Sequence, residues 1–165
     1  MTTPFIITRG QLGLSLTDPG KDASTATLAD YSDFSCTVTG AKITASTNSD
    51  TTTVPATFCK TGSEEVIPSS SSYALEGDVL QDPDEIAGLQ KFVWDNASSE
   101  SGDPVYFYLG LSDGSDGPCA VGAILISELD FGGPAGEVLT ASFNWPTKGR
   151  PDLDFAAVAA FNAYD

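Results

Sequence analysis

Four stretches of the chain carry residue types that do chemistry. Asp113-Gly114-Ser115-Asp116-Gly117 places two carboxylates and a hydroxyl in a glycine-rich run, the ingredients of a calcium loop. It lacks the alternating ligand ladder and closing glutamate of an EF-hand, so a tight turn is the reading it supports. Cys36, Cys59 and Cys119 are odd in number and show no CxxC spacing, which leaves neither a zinc knuckle nor a disulfide framework. Cys36 and Cys59 fall in strand-like runs and are expected as small buried apolar residues, a bridge between them being the alternative. Gly132-Gly133-Pro134 has no strand-to-helix context for holding phosphate. Paired carboxylates can hydrolyse glycosides, but the 23 acids here are spread along the chain and some will pair by chance.

None of these groups has a histidine partner, because the chain contains no histidine. That removes the usual general base, the triad and most zinc schemes together. The expectation is a protein without catalytic residues, metal or cofactor, and not an enzyme.

The elements that would have to position any site point the same way. At 165 residues the chain suits one domain with a real core, and 41% hydrophobic residues, nine of them Phe, exclude a disordered polymer. Sixteen Gly and ten Pro predict short elements between frequent turns. The formal charge of −16 argues against a phosphate-gripping surface and against anionic membranes. From Asp78 to Glu137 twelve acids face a single base, Lys91. Such a surface is either simply solvated or, with copies set round a channel, repels DNA from every side. Met1–Arg9 has no charged segment leading into a long apolar run, and no stretch is long enough to span a bilayer. Synthesis in a reducing cytoplasm is therefore expected.

Along the chain, residues 1–30 read as an N-terminal arm or edge strand plus loop, and 31–165 as a single β domain. Phe34, Cys36 and Val38 alternate as a half-buried strand, Gly40 marks a bulge, and Asn48–Thr53 reads as a polar turn before a strand at Val54–Cys59. A long loop over about 60–72 follows, with Glu64, Glu65, Val66, Ile67 and Pro68 at its centre. An apolar pair in so polar a loop suggests docking. Tyr73, Leu75 and Val79 begin the next strand. Asp82-Pro83-Asp84-Glu85 then caps a helix over about 84–95, carrying Ile86, Leu89 and Val93 on one face. Strands are expected at 105–111, 119–129, with Gly122 a close-approach point, and 138–145. The tail from Leu153 to Tyr164 fits either a strand or a helix.

The order of these elements resembles the tail tube (major tail) proteins of long non-contractile-tailed bacteriophages. The likeness is carried by Tyr73-Ala74-Leu75 through Gln81-Asp82, Leu89-Gln90-Lys91-Phe92-Val93-Trp94, Asp103-Pro104-Val105-Tyr106-Phe107, and Gly136–Ser142 with Gly149-Arg150-Pro151. It implies a mainly β fold, a two-sheet β-sandwich or partial barrel flanked by one helix. It further implies self-assembly into hexameric rings stacked as a tail tube, an acidic conduit for genome ejection. Implied partners are other copies of the chain, a tape-measure protein and tail tip or terminator proteins. Double-stranded DNA would pass without specific binding and no membrane would be engaged, the protein residing in the virion after synthesis in the host cytoplasm. Phe5, Ile6, Ile7 and the 64–68 segment would make ring contacts, and Asp78, Glu128, Asp130 and Glu137 are the candidate lumen charges. A capsid decoration or tail terminator protein, or a glycan-binding surface module, are the alternatives.

Overall fold

The computed structural model describes residues 10–58, 61–81, 88–96, 103–111 and 119–154. Within them lie eight strands, β1 (Gln11–Ser15), β2 (Ser32–Asp33), β3 (Val38–Val54), β4 (Ser63–Leu80), β5 (Val105–Gly110), β6 (Cys119–Ile124), β7 (Thr140–Pro146) and β8 (Asp152–Leu153). One α-helix, α1 (Leu89–Asn96), lies between β4 and β5. The strands form two antiparallel sheets, sheet A in the order β2-β1-β5-β6-β8 and sheet B in the order β3-β4-β7. The architecture is the expected mainly β sandwich with a flanking helix, and its two sheets do not close into a barrel.

Alternation explains which faces meet. On β7, Ala141, Phe143 and Trp145 point inward while Thr140, Ser142 and Asn144 point out. The register sets Val38, Val79 and Ala141 in one row and Ile43, Leu75 and Trp145 in another, so each row crosses sheet B on its core face. Opposite them, sheet A contributes Leu12, Leu14, Val105, Phe107, Leu109, Ala120 and Ile124. Helix α1 closes the core with Leu89 and Val93, and Phe92 meets Phe34 with ring centroids 5.2 Å apart. The Asn96 side chain donates back to the Phe92 carbonyl at 2.7 Å, in the helix's last turn. The capping residues expected at 82–85 lie outside the described residues.

Several expectations need correction. Within the segment read as an arm or edge strand plus loop, residues 11–15 form β1, an inner rather than an edge strand of sheet A, where Leu12 and Leu14 are buried. Residues 21–31 fold over the outer face of that sheet. Ala23 and Tyr31 cover Tyr108, Cys119 and Val121, and the Ala23 amide donates to Asp152 at 2.8 Å. Burial there pushes the Tyr31 and Tyr108 phenols up to about 12, and the Ser24 and Thr25 hydroxyls hold the Asp22 carboxyl below its ordinary range. The polar run 48–53 is strand, not turn, and the expected loop at 60–72 is strand from Ser63 onward. Residues 49–54 pair with 63–68, and the reversal falls at 55–62. Cys36 is exposed rather than buried and carries a free thiol, as does buried Cys119. The strand expected over 119–129 pairs only to Ile124.

The expected irregularity beside Gly40 is present as a register shift between Val38 and Gly40. Gly40 packs close beside Gly77, where a Cβ would collide with the Gly40 carbonyl and approach the Phe143 ring at 2.7 Å, so position 77 requires glycine. Gly122 is likewise a close approach, with Phe107 2.9 Å from where its Cβ would stand. Gly77→Val should cost at least about 2 kcal/mol, the scale of core overpacking or more. Urea unfolding checks this, and a change below about 0.5 kcal/mol would show that the strands can separate freely.

Candidate functional site

The two sheets differ in how they end. Sheet A is bounded by β2 and β8, two residues each, which leaves almost no edge for another chain to pair with. Sheet B ends in the 17-residue β3 and the seven-residue β7, and among the described residues each of these has a ladder on one side only. Long unpaired edges present rows of N–H and C=O groups, a template for pairing with a further strand.

The outer face of sheet B is bare and polar. Glu76 is its hub. One carboxylate oxygen accepts from the Thr44 hydroxyl at 2.9 Å and lies 3.6 Å from the Lys42 ammonium, and the other accepts from Asn144 at 3.0 Å. One row along, Asp78 accepts from the Ser142 hydroxyl at 2.6 Å. These bonds follow from register, since Lys42, Glu76 and Asn144 stand opposite one another, as do Gly40, Asp78 and Ser142. The result is a cross-strand polar ladder that fixes carboxylates on a face that no other described element covers.

Beyond the reach of β7, β3 and β4 continue as a two-stranded ribbon. From Ala45 and Tyr73 to the tip it runs roughly 30 Å at the usual rise per residue. Residues 46–53 are exposed on both faces. A two-stranded hairpin is marginal in water alone, so a ribbon of this length, with residues 46–53 of β3 all exposed, calls for a surface to lie on.

The residues predicted for assembly are distributed as follows. Glu64, Glu65, Val66, Ile67 and Pro68 fall together on β4 within the ribbon, opposite Thr53, Thr52, Thr51, Asp50 and Ser49, and Val66 is exposed. Phe5, Ile6 and Ile7, and the 113–117 turn, lie outside the described residues. Of the four candidate lumen acids, Asp78 is the one on a strand of sheet B. Asp78 belongs to the polar ladder. Glu128 and Asp130 lie in the unpaired stretch after β6, where their carbonyls accept from the Trp145 indole and the Gln90 amide, each at 2.9 Å. Glu137 is exposed in the turn before β7.

Sequence reasoning missed Glu76, Thr44, Lys42 and Asn144, because only the strand register brings them together. It also missed a hydrogen-bond knot at Gln81, whose side chain bonds Gly132, Thr140 and Gln90 at 2.8 to 3.1 Å. No group of three or more potential metal ligands gathers among the described residues.

No family model matches the chain, and no curated protein matches it by sequence. Solved structures do. A chain of the virion of a native gene transfer agent particle superposes with a TM-score of 0.60 at 10% identity, over 92% of this chain and 99% of that one. A chain from the tail of an empty particle of this kind, refined with C6 symmetry, superposes with a TM-score of 0.54 at 11% identity, over 87% and 95%. The fold is therefore shared with a chain of a gene transfer agent virion and a chain of such a particle's tail.

Proposed function

We propose that this chain is the repeating subunit of a phage-type tail tube, a structural virion protein without enzymatic activity. Six copies form a ring by pairing the β3 edge of one sheet B with the β7 edge of the next, and rings stack into a tube. The observation that carries this reading is the asymmetry of the sheets, one with blunted edges and the other ending in strands whose outer edges have no ladder among the described residues. The head-to-tail use of two different edges generates a closed ring when the rotation closes, and the C6 tail refinement of a chain sharing the fold supports six copies. In such a ring the bare face of sheet B turns toward the hollow, presenting Glu76 and Asp78. A lumen of fixed carboxylates repels a polyanion at every contact, so DNA passes without a binding site. A tape-measure protein filling the lumen before ejection, and tip or terminator proteins at the ends, are the partners this arrangement calls for.

Native mass spectrometry tests the ring directly. A six-copy species and its multiples are expected, whereas a monomer persisting at millimolar concentration contradicts the reading. Ionic strength supplies an independent check. Copies of charge −16 repel one another, and going from about 0.02 to about 0.5 M salt shortens the screening length from roughly 20 Å to roughly 4 Å. Assembly followed by light scattering should therefore rise with salt, and a fall would mean that ion pairs, not strand pairing and apolar contact, hold the copies together.

A further inference from the structure

The loop between β1 and β2, residues 16–31, leaves sheet A and returns to it at one place, since Leu14 stands opposite Ser32. Between these adjacent feet it reaches across the outer face of the sheet. Its path follows one register row, in which Gly13, Tyr108, Val121 and Asp152 stand side by side from β1 to β8. Near the feet Tyr31 fits over Gly13, where a Cβ would come within 2.6 Å of the Tyr31 Cβ. The Tyr31 ring meets that of Tyr108 with centroids 5.6 Å apart. At the far edge Ala23 is held through its backbone. Its amide donates to Asp152 at 2.8 Å, and the Cys119 thiol donates to its carbonyl at 2.9 Å.

The loop is also braced within itself. One Asp22 carboxylate oxygen accepts from the amides and hydroxyls of Ser24 and Thr25 at 2.7 to 3.1 Å. Asp30 accepts from the Thr27 amide and hydroxyl and pairs with Lys21 at 2.8 Å. A loop with adjacent feet and its own internal bonds moves as a body. What it covers is separate from the rest. Ala23, Tyr108, Cys119 and Val121 form a buried cluster distinct from the core between the sheets. Lifting the loop exposes that small cluster and leaves the sandwich core packed, an opening that stops short of global unfolding.

We propose that residues 16–31 are a flap that opens about its two feet, releasing Ala23 from Asp152 and Cys119 and baring Tyr108, Cys119 and Val121 while the sandwich stays folded. Asp152 is the latch, because it lies exposed on β8, the edge strand opposite the feet. Closed, the flap withholds an apolar strip of sheet A from other chains. The flap does not depend on how copies assemble. Cys119 reports the opening in the full-length chain carrying Cys36→Ser and Cys59→Ser, where it is the single thiol left to react with dithiodipyridine. Its labelling rate is expected to change little with urea below the unfolding transition, since a flap exposes far less surface than unfolding does. Asp152→Ala should speed labelling about tenfold, the effect of losing a hydrogen bond to a charged group. Asp152→Asn keeps an acceptor and should stay within about threefold of the parent. Hydrogen exchange of the unaltered chain gives a second readout, in which the amides of residues 23–26 exchange at least about a hundredfold faster than those of β5. Labelling that follows only the urea dependence of global unfolding overturns the flap. So does an Asp152→Ala rate within about twofold of the parent, or equal protection of residues 23–26 and β5.

Discussion

Deleting residues 46–72 and joining Ala45 to Tyr73 through an Asn-Gly turn should abolish tubes while leaving the domain folded. Ala45 and Tyr73 face each other in register, so a two-residue turn of this type can reconnect them. Among the described residues, both buried clusters consist of residues from the sandwich, α1 and the 21–31 cover. The melting temperature should therefore stay within about 3 °C, equivalent to roughly 1 kcal/mol for a domain of this size. Tube yield, counted on negatively stained grids, should fall below detection because a long two-faced ribbon has no role inside its own subunit. Normal tubes from the shortened chain would show that the ribbon is ornamental.

Trp145→Ala should produce the largest loss of stability of any single change. Trp145 is fully buried, stacks on Phe143 with centroids 4.2 Å apart, and donates its indole N–H to the Glu128 carbonyl at 2.9 Å. Truncation forfeits the aromatic burial, leaves a cavity between the sheets and removes the bond that holds the 125–130 stretch in place. The expected cost is about 3–5 kcal/mol, a large share of the roughly 5–15 kcal/mol that holds a domain together. Urea denaturation of the variant measures it. Trp145→Phe should recover part of the packing but not the hydrogen bond, and so fall between the two. A cost under about 1 kcal/mol for the alanine variant would mean that the sandwich collapses around the gap.

These two changes separate what could be read from residues from what could not. Strands whose one face is buried announce themselves, as Ala141, Phe143 and Trp145 do against Ser142 and Asn144. The inward face of α1 was legible for the same reason, through Leu89 and Val93. The ribbon was not. The Ser and Thr residues of its β3 strand alternate with nothing, since 46–53 are all exposed, and the polar run 48–53 therefore reads as a turn. The inner position of β1 was hidden by brevity, with Leu12 and Leu14 set on either side of Gly13 in a polar neighbourhood. The polar ladder depends on register, so Glu76 gives no sign in the sequence that Thr44, Lys42 and Asn144 will reach it. Of the four acids expected to line a lumen, Asp78 lies in the ladder, where register sets Glu76 beside it.

Electron cryomicroscopy of the purified chain, assembled at high ionic strength, bears most directly on the central claim. The expected result is six-fold rings in which β3 of each copy pairs with β7 of the next and Glu76 and Asp78 look into an open channel. Single globules under those conditions, or rings in which the bare face of sheet B turns outward, would contradict it.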